Sequence, residues 1–361
     1  MKIGFILGSI PPPVFIENFI DEISRNKYTI YLYGKVVDKN FRFSNKNIIL
    51  RKIPQKKIMI LFYFIYYFIR LLLNNPSTAS KLTSRIWSRS INLSDFIYRA
   101  LKVMPPFFDN LHIFHIQWAK TLVEYPEFIE NLKCPVVLSL RGAHINYSPL
   151  NDINLVRGYK KYFPMVSAFH AVSDAIAKVS KIYGTDPNKI TVIRPAVKKE
   201  LLKNRYKKNT SNNILNIISV GRCHWKKGYT FALDAMRKLK AKEINFHYTI
   251  IAGGSDDENI YYQIQEQKLN QHVSLIAGLP HKQIINKIVE SDLFLLPSLE
   301  EGISNAVLES MALSVPIITT DCGGMKEVIK HNFNGFIIPV RDTNSMVGAI
   351  EYFINLDEKS K

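Results

Sequence analysis

Two glutamates eight residues apart, Glu301 and Glu309, bracket a Gly-Ile-Ser turn and an apolar run in EEGISNAVLE, residues 300–309. The run reads as the start of a buried helix. Free amides at a helix N-terminus attract anions, and Gly302, with the small Ser304 after it, leaves room to approach them. A carboxylate beside such a site repels a phosphate but accepts hydrogen bonds from hydroxyls, each worth about 1.5–3 kcal/mol to a charged acceptor. Glu309 lies roughly two helical turns beyond Glu301, so both can point broadly toward one side. A nucleotide-sugar presents vicinal hydroxyls on its ribose and on its hexose, with a diphosphate between them. The plainer alternative is one exposed glutamate and one capping glutamate, and EEG alone does not choose.

Cations for the diphosphate stand in SVGRCHWKKGYTFALDAM, residues 219–236, where an apolar strand runs into a Gly-Arg turn and then a helix. Arg222 binds phosphate in bidentate fashion and Lys227 as a point charge. The alternative is a solvated basic turn. In IIAGGSDDENI, residues 250–260, Gly254 permits close backbone approach to a ligand. Asp256 and Asp257 open the next helix and read as N-terminal acids rather than metal ligands. No metal site is expected, and no cofactor beyond a nucleotide-sugar co-substrate.

The elements that must position these groups alternate between short apolar runs and longer amphipathic ones. Strands are expected at 3–7, 29–33, 113–116, 136–139, 168–171 and 190–193, then at 215–220, 247–252, 273–277, 293–296, 317–320 and 335–339. Helices are expected at 15–24, 174–183, 229–239, 260–269, 282–290 and 305–313. A polar, basic, Asn-rich stretch from Arg194 to Asn213 separates the two blocks and reads as a linker. Two alternating blocks imply an α/β chain of two Rossmann-like doubly wound domains, residues 1–200 and 201–361, facing a cleft. A length of 361 residues at 47% hydrophobic content also favours two cores over one.

The formal net charge of +18 favours an anionic partner, unless it reflects only a Lys-rich composition. Cys134, Cys223 and Cys322 lie far apart and form no CxxC pair, as expected in a reducing cytosol. The run Ile58–Leu73, IMILFYFIYYFIRLLL, is too short for a spanning helix, which needs about twenty apolar residues, and it contains Arg70. It reads as a core helix, or as one lying on a membrane surface, since aromatics flanked by Lys56, Lys57 and Arg70 suit the headgroup zone.

As a set these motifs resemble the retaining, nucleotide-sugar-dependent glycosyltransferases of the two-Rossmann (GT-B) type, known as group 1 or family 4. The signature P-S-x-x-E-G-x-x-x-x-x-x-E-x-M-A-x-G-x-P stands here as Pro297, Ser298, Glu301, Gly302, Glu309, Met311, Ala312 and Pro316. The DCGG turn, Glu327 and NGFIIPVRD (334–342) also match, as do Arg222 and Lys227 as an Arg–Lys pair five residues apart after a strand. The resemblance implies that Glu301 contacts the donor sugar and Glu309 the ribose. It is looser in the first half. There HIQWA (115–119), LSLRGAHIN (138–146) and HAVSDAIAKV (170–179) are similar to family stretches, and Arg141 takes the place of a histidine. Arg141 cannot act as a base, because it keeps its proton, but it can stabilise a phosphate leaving group; His144 or His115 can then shuttle a proton.

The chain departs from the pattern in three places. Only Gly8 remains of the Gly-rich first loop, in GSIPPPV. Ser304 and Ser314 stand where the family carries glycines. Family members usually continue through further crossover helices, which are missing here, so a fragment or an unusually short member is expected. The implied activity is transfer of a sugar, with retention and without a metal, to a lipid-linked or surface-glycan acceptor. The expected location is the cytoplasm, peripheral at an anionic inner membrane face. The alternatives are a sugar-nucleotide epimerase of similar fold and a non-catalytic nucleotide-sugar-binding protein. A nucleic-acid partner is not expected, since charge is its only support.

Overall fold

The computed structural model describes residues 1–361 except 39, 44, 55, 204–213, 254–257 and 357–361. The chain divides into two compact units, Met1–Ile193 and Arg194–Lys361.

The first unit is built on strands β1 (Lys2–Ile10), β2 (Thr29–Val36), β3 (Ile48–Ile53), β4 (Ile113–Ile116), β5 (Val136–Leu140), β6 (Ala168–Ala171) and β7 (Ile190–Val192). They form one sheet in the order β3-β2-β1-β4-β5-β6-β7. Every pair is parallel. Parallel strands are covered on both faces, which is why FIL at 5–7 and VVLSL at 136–140 are almost unbroken apolar runs. The edge strand β3 was not expected. Arg51 and Lys52 interrupt its apolar pattern, and Arg51 is accommodated by an ion pair to Asp109, far along the chain. Strand β1 runs on through Gly8 to Ile10, so the expected first loop is largely strand.

Between β3 and β4 stand the helices Lys57–Asn74, Pro76–Ser88 and Leu93–Val103. Local chemistry sets the starts of the last two. The Asn75 side chain accepts from the Thr78 amide with Pro76 at the first turn, and Asn92 accepts from the Asp95 amide. The first helix buries Tyr67 and Leu71 against Leu82, Ile86 and Ala100. It is thus partly a core helix, but Ile58, Leu61, Phe62, Ile65, Ile69, Leu72 and Leu73 are exposed. Among the described residues no helix is long and apolar enough to cross a membrane.

The second unit holds β8 (Leu215–Arg222), β9 (Phe246–Gly253), β10 (Val273–Ala277), β11 (Leu293–Leu296), β12 (Ile317–Thr320) and β13 (Phe336–Ile338). Their order is β10-β9-β8-β11-β12-β13, again parallel throughout. One apolar layer packs helices Tyr229–Ala241 and Thr343–Asn355 on one set of side chains, and a second layer gathers Val307, Ile285 and Ile288. The stretch read as a linker makes an ion pair at its start. Arg194 pairs with Glu327 at 2.9 Å, within the second unit. Residues 204–213 of that stretch lie outside the described residues.

Candidate active site

In the second unit the strand order reverses direction between β8 and β11, which lie side by side with Ile217 opposite Leu293 and Ile218 opposite Phe294. In a doubly wound sheet, ligands bind beyond the carboxyl ends of the strands at this switch point. The two segments that leave it carry the sequence motifs: 223–228 after β8 and 297–304 after β11.

Glycines fit the two segments together. Gly228 has φ +64°, and a Cβ there would lie 2.1 Å from the Pro297 carbonyl oxygen. The Leu299 amide donates to the Lys226 carbonyl at 2.6 Å. Gly323, φ +53°, lies so close under the Glu301 carbonyl that a Cβ would sit 1.7 Å from its oxygen, and the Gly324 amide donates to the Gly302 carbonyl at 2.9 Å. The DCGG turn therefore supports the EEG turn by backbone contact.

Glu301 is enclosed by these segments, with 7% of its surface exposed. Its Oε1 accepts from Lys227 Nζ at 2.6 Å and from Ser298 Oγ at 2.9 Å, and its Oε2 lies 3.7 Å from Lys226 Nζ. Burial alone would raise the Glu301 carboxyl. The Lys227 and Lys226 ammonium groups, with the hydrogen bonds from Lys227 and Ser298, outweigh it and hold the group below the usual carboxylate range. Burial lowers Lys226, Glu301 opposes that, and Lys227 and Arg222 add to the lowering. The sequence did not show that the carboxylate is paired within the protein itself. It already holds two cations.

Arg222 ends β8 exposed, with no ion-pair partner among the described residues. Ser304, 4% exposed, precedes helix Asn305–Ala312, and its side chain makes no capping hydrogen bond to the first amides. Gly302 is buried beside them. Glu309, in the same helix, accepts from His281 Nε2 at 2.8 Å, and this bond is the chief reason His281 is raised. Ser314 adopts φ +62°, the left-handed conformation for which a glycine stands in the similar motif. Gly254, Asp256 and Asp257 lie outside the described residues. Among the described residues no three of His, Cys, Asp or Glu gather as a metal site.

In the first unit, Arg141 follows β5 and donates from Nη2 to Gln117 Oε1 at 3.0 Å. Its guanidinium lies 4.9 Å from the Phe15 ring centre and 5.8 Å from that of Trp118. Burial lowers it to about 10. Its Nε and the Gln117 amide nitrogen are buried without hydrogen-bond partners, and no carboxylate pairs with it among the described residues. A largely buried guanidinium with no counter-ion is suited to an incoming anion. The His144 ring lies 5.5 Å from that of Trp118, which places it near Arg141.

His115 lies close enough to Arg141 for that charge to add to its lowering. It sits on β4 within the sheet, packed on Phe5 and Phe19, and bonds Ser139 Oγ at 2.9 Å. Ser139 Oγ in turn bonds His170 Nδ1 at 3.0 Å, and His170 Nε2 donates to the Ile193 carbonyl. Burial drives His115 down to about 3, so it is neutral and enclosed. That placement suits a core histidine better than a proton shuttle.

Lys226, Gln117 and His281 carried no signal as functional residues. Lys226 is half of a Lys-Lys pair whose second member drew attention. His281 is recognised only through Glu309, 28 residues on.

Residues 198–361 match the model of the family described as glycosyl transferases group 1. The chain is 28% identical over 258 residues to an amylovoran biosynthesis glycosyltransferase of Erwinia amylovora, covering 68% of this chain and 61% of that protein. It spans between 50% and 61% of the length of the first curated relatives it matches. Among solved structures, sucrose-phosphate synthase from Thermosynechococcus elongatus superposes with a TM-score of 0.71 at 13% identity, covering 98% of this chain and 90% of that one. Anabaena HepE in complex with UDP-glucose superposes with a TM-score of 0.65 at 16% identity, covering 98% and 90%. At such identities the likeness is one of fold, and it accords with the α/β class of two Rossmann-like units expected from the sequence. The part of the chain that holds Arg222, Lys227, Glu301 and Glu309 is the part that matches the group 1 glycosyl transferases.

Proposed function

We propose that this protein transfers a sugar from a nucleotide-diphosphate donor to a hydroxyl of a glycan or lipid-linked acceptor, with retention at the anomeric carbon and without a metal. The observation that carries the reading is the gathering of Lys226 and Lys227 on a buried Glu301 beyond the carboxyl ends of β8 and β11, with Arg222 ending β8 and its charge felt at Lys226. Fixed cations and amides aimed at a departing diphosphate stabilise the charge that develops on it without reorganising. Arg222 and Lys227 are assigned to the phosphates, with the amides after Ser304. Glu301, held by its lysines, offers Oε2 to donor-sugar hydroxyls. Glu309 offers the oxygen that His281 does not occupy to the ribose. Arg141 is assigned to a phosphate oxygen, and His144 to the proton of the acceptor hydroxyl.

The family match of residues 198–361, the relative named for polysaccharide biosynthesis and the neighbour crystallised with UDP-glucose support this assignment. Retention rests on the sequence resemblance. The acceptor would lie at the inner, cytoplasmic face of a membrane.

The test is thermal unfolding with UDP-, GDP- and ADP-sugars in the presence of EDTA. A ligand at 100 times its Kd adds about 2.7 kcal/mol of stability. Arg222→Ala, at an exposed position, should leave the free protein's melt within about 0.5 kcal/mol but abolish most of the shift. If no nucleotide-sugar shifts the melt, the donor assignment fails. The product's anomeric configuration, read by NMR, tests retention.

A further inference from the structure

The helix Lys57–Asn74 has two apolar faces, and only one is covered. Tyr67 and Leu71 face the core, with Ile60, Tyr63 and Phe64 packed beside them. Residues 58, 61, 62, 65, 69, 72 and 73, spaced by threes and fours, form the opposite stripe and are all exposed, Ile58 and Leu73 at 85% and 80%. Trp87, 56% exposed, packs edge-on against Phe96, itself edge-on to Phe64 of this helix.

The charge around this face is one-sided. From residue 39 to residue 94 the chain has eleven Lys and Arg and no Asp or Glu, so this stretch alone supplies eleven charges of the net +18. The excess is therefore concentrated rather than spread by composition. Some of these cations serve the fold: Arg51 pairs with Asp109, and Arg85 and Arg89 pair with Glu130. Lys46, Lys52, Lys56 and Lys81 are exposed and form no ion pair among the described residues.

We propose that this stripe, with the exposed lysines of its stretch of chain, seats the first unit on an anionic lipid bilayer, the helix lying in the plane of the interface. At 1.5 Å per residue the 18-residue helix is about 27 Å long, which gives an extended line of contact. An apolar face bordered by lysines and aromatics is what an interfacial helix requires, and anionic headgroups complement exposed lysines. The same charge argues against a second copy as the occupant. A two-fold contact brings each patch against itself, the exposed lysines of one copy facing those of the other. The proposal does not depend on the donor assignment.

The experiment is co-sedimentation of the full chain with phosphatidylcholine vesicles, with and without phosphatidylglycerol. Binding is expected only with the anionic lipid, and it should weaken with salt. Each cation lost should weaken binding roughly fivefold, so Lys52→Gln with Lys56→Gln should cost about 25-fold. Ile65→Asp, on the exposed stripe, should lose binding while keeping its melt and any nucleotide-sugar shift. That retained shift separates failure of docking from failure of the donor reading. No binding, equal binding to neutral vesicles, or unchanged binding by Ile65→Asp would overturn the proposal. So would a dimer in ultracentrifugation that Ile65→Asp dissociates.

Discussion

Replacing Lys227 by methionine tests the site where its electrostatics are strongest. Lys227 and Glu301 are 2.6 Å apart, with side chains 12% and 9% exposed. Removing one partner of a buried ion pair costs about 3–5 kcal/mol, because the other charge is left uncompensated. Here Lys226 at 3.7 Å and the Ser298 hydroxyl remain on the carboxylate. That places the loss lower, at about 2–3 kcal/mol. For a unit of this size the melt should fall by about 4–12 °C. In the native protein the Glu301 carboxyl is held low, so its stabilisation is present above the unfolded value near ~4.3 and lost as pH falls through the folded value. In Lys227→Met, burial dominates and the carboxyl rises. Ionised Glu301 then costs stability at neutral pH, and protonation relieves the cost. Urea unfolding at about pH 7.5 and about pH 5 should show the gap between the two proteins narrowing on acidification. Adding Glu301→Gln to Lys227→Met should restore only part of the loss, since it removes the unpaired carboxylate but leaves the buried Lys226 without its partner. A gap below about 0.5 kcal/mol, equal gaps at both pH values, or a double variant as unstable as the summed singles would refute the reasoning.

Three further outcomes follow from single positions. Ser314→Gly should stabilise the second unit by about 0.5–1 kcal/mol in thermal melts, because an L side chain at φ +62° is strained. Arg141→Met removes a buried guanidinium that has no carboxylate partner, so the melt should hold or rise by about 1 kcal/mol while transfer activity is lost; a fall of several degrees would show that the charge serves the fold. The Glu309 hydrogen bond raises His281, so their pairing stabilises fully below the unfolded histidine value near ~6.5 and fades as pH rises through the folded value. His281→Ala should then cost no more than about 1 kcal/mol near pH 6, after solvent screening of a side chain over a third exposed, and less near pH 9, as read by unfolding titrations at the two pH values.

The sequence exposed most of this architecture because parallel strands advertise themselves. Runs such as LFLLP and VPIITT can be little else between helices with polar faces. The departures have local causes. Strand β3 was hidden because Arg51 breaks its apolar run, and the residue that makes Arg51 tolerable is Asp109, which no window of sequence connects to it. The Lys57–Asn74 helix showed its apolarity but not its exposed face. Residues 60, 63, 64, 67 and 71 and residues 58, 61, 62, 65, 69, 72 and 73 are all apolar, so periodicity could not tell covered from uncovered.

The site shows the same boundary in sharper form. Residue type and spacing pointed to Lys227 and Glu301 separately, one for phosphate and one for hydroxyls. The register of β8 against β11 brings the two segments together, and the glycine at 228 closes them to backbone contact. At that range a lysine and a glutamate 74 residues apart satisfy each other before any ligand arrives. Burial would otherwise neutralise the carboxyl, so the lysines are what keep Glu301 an acceptor inside a closed site. A chain reading that assigns each charged group its own ligand misses this, because the first partner of a buried charge is another part of the protein.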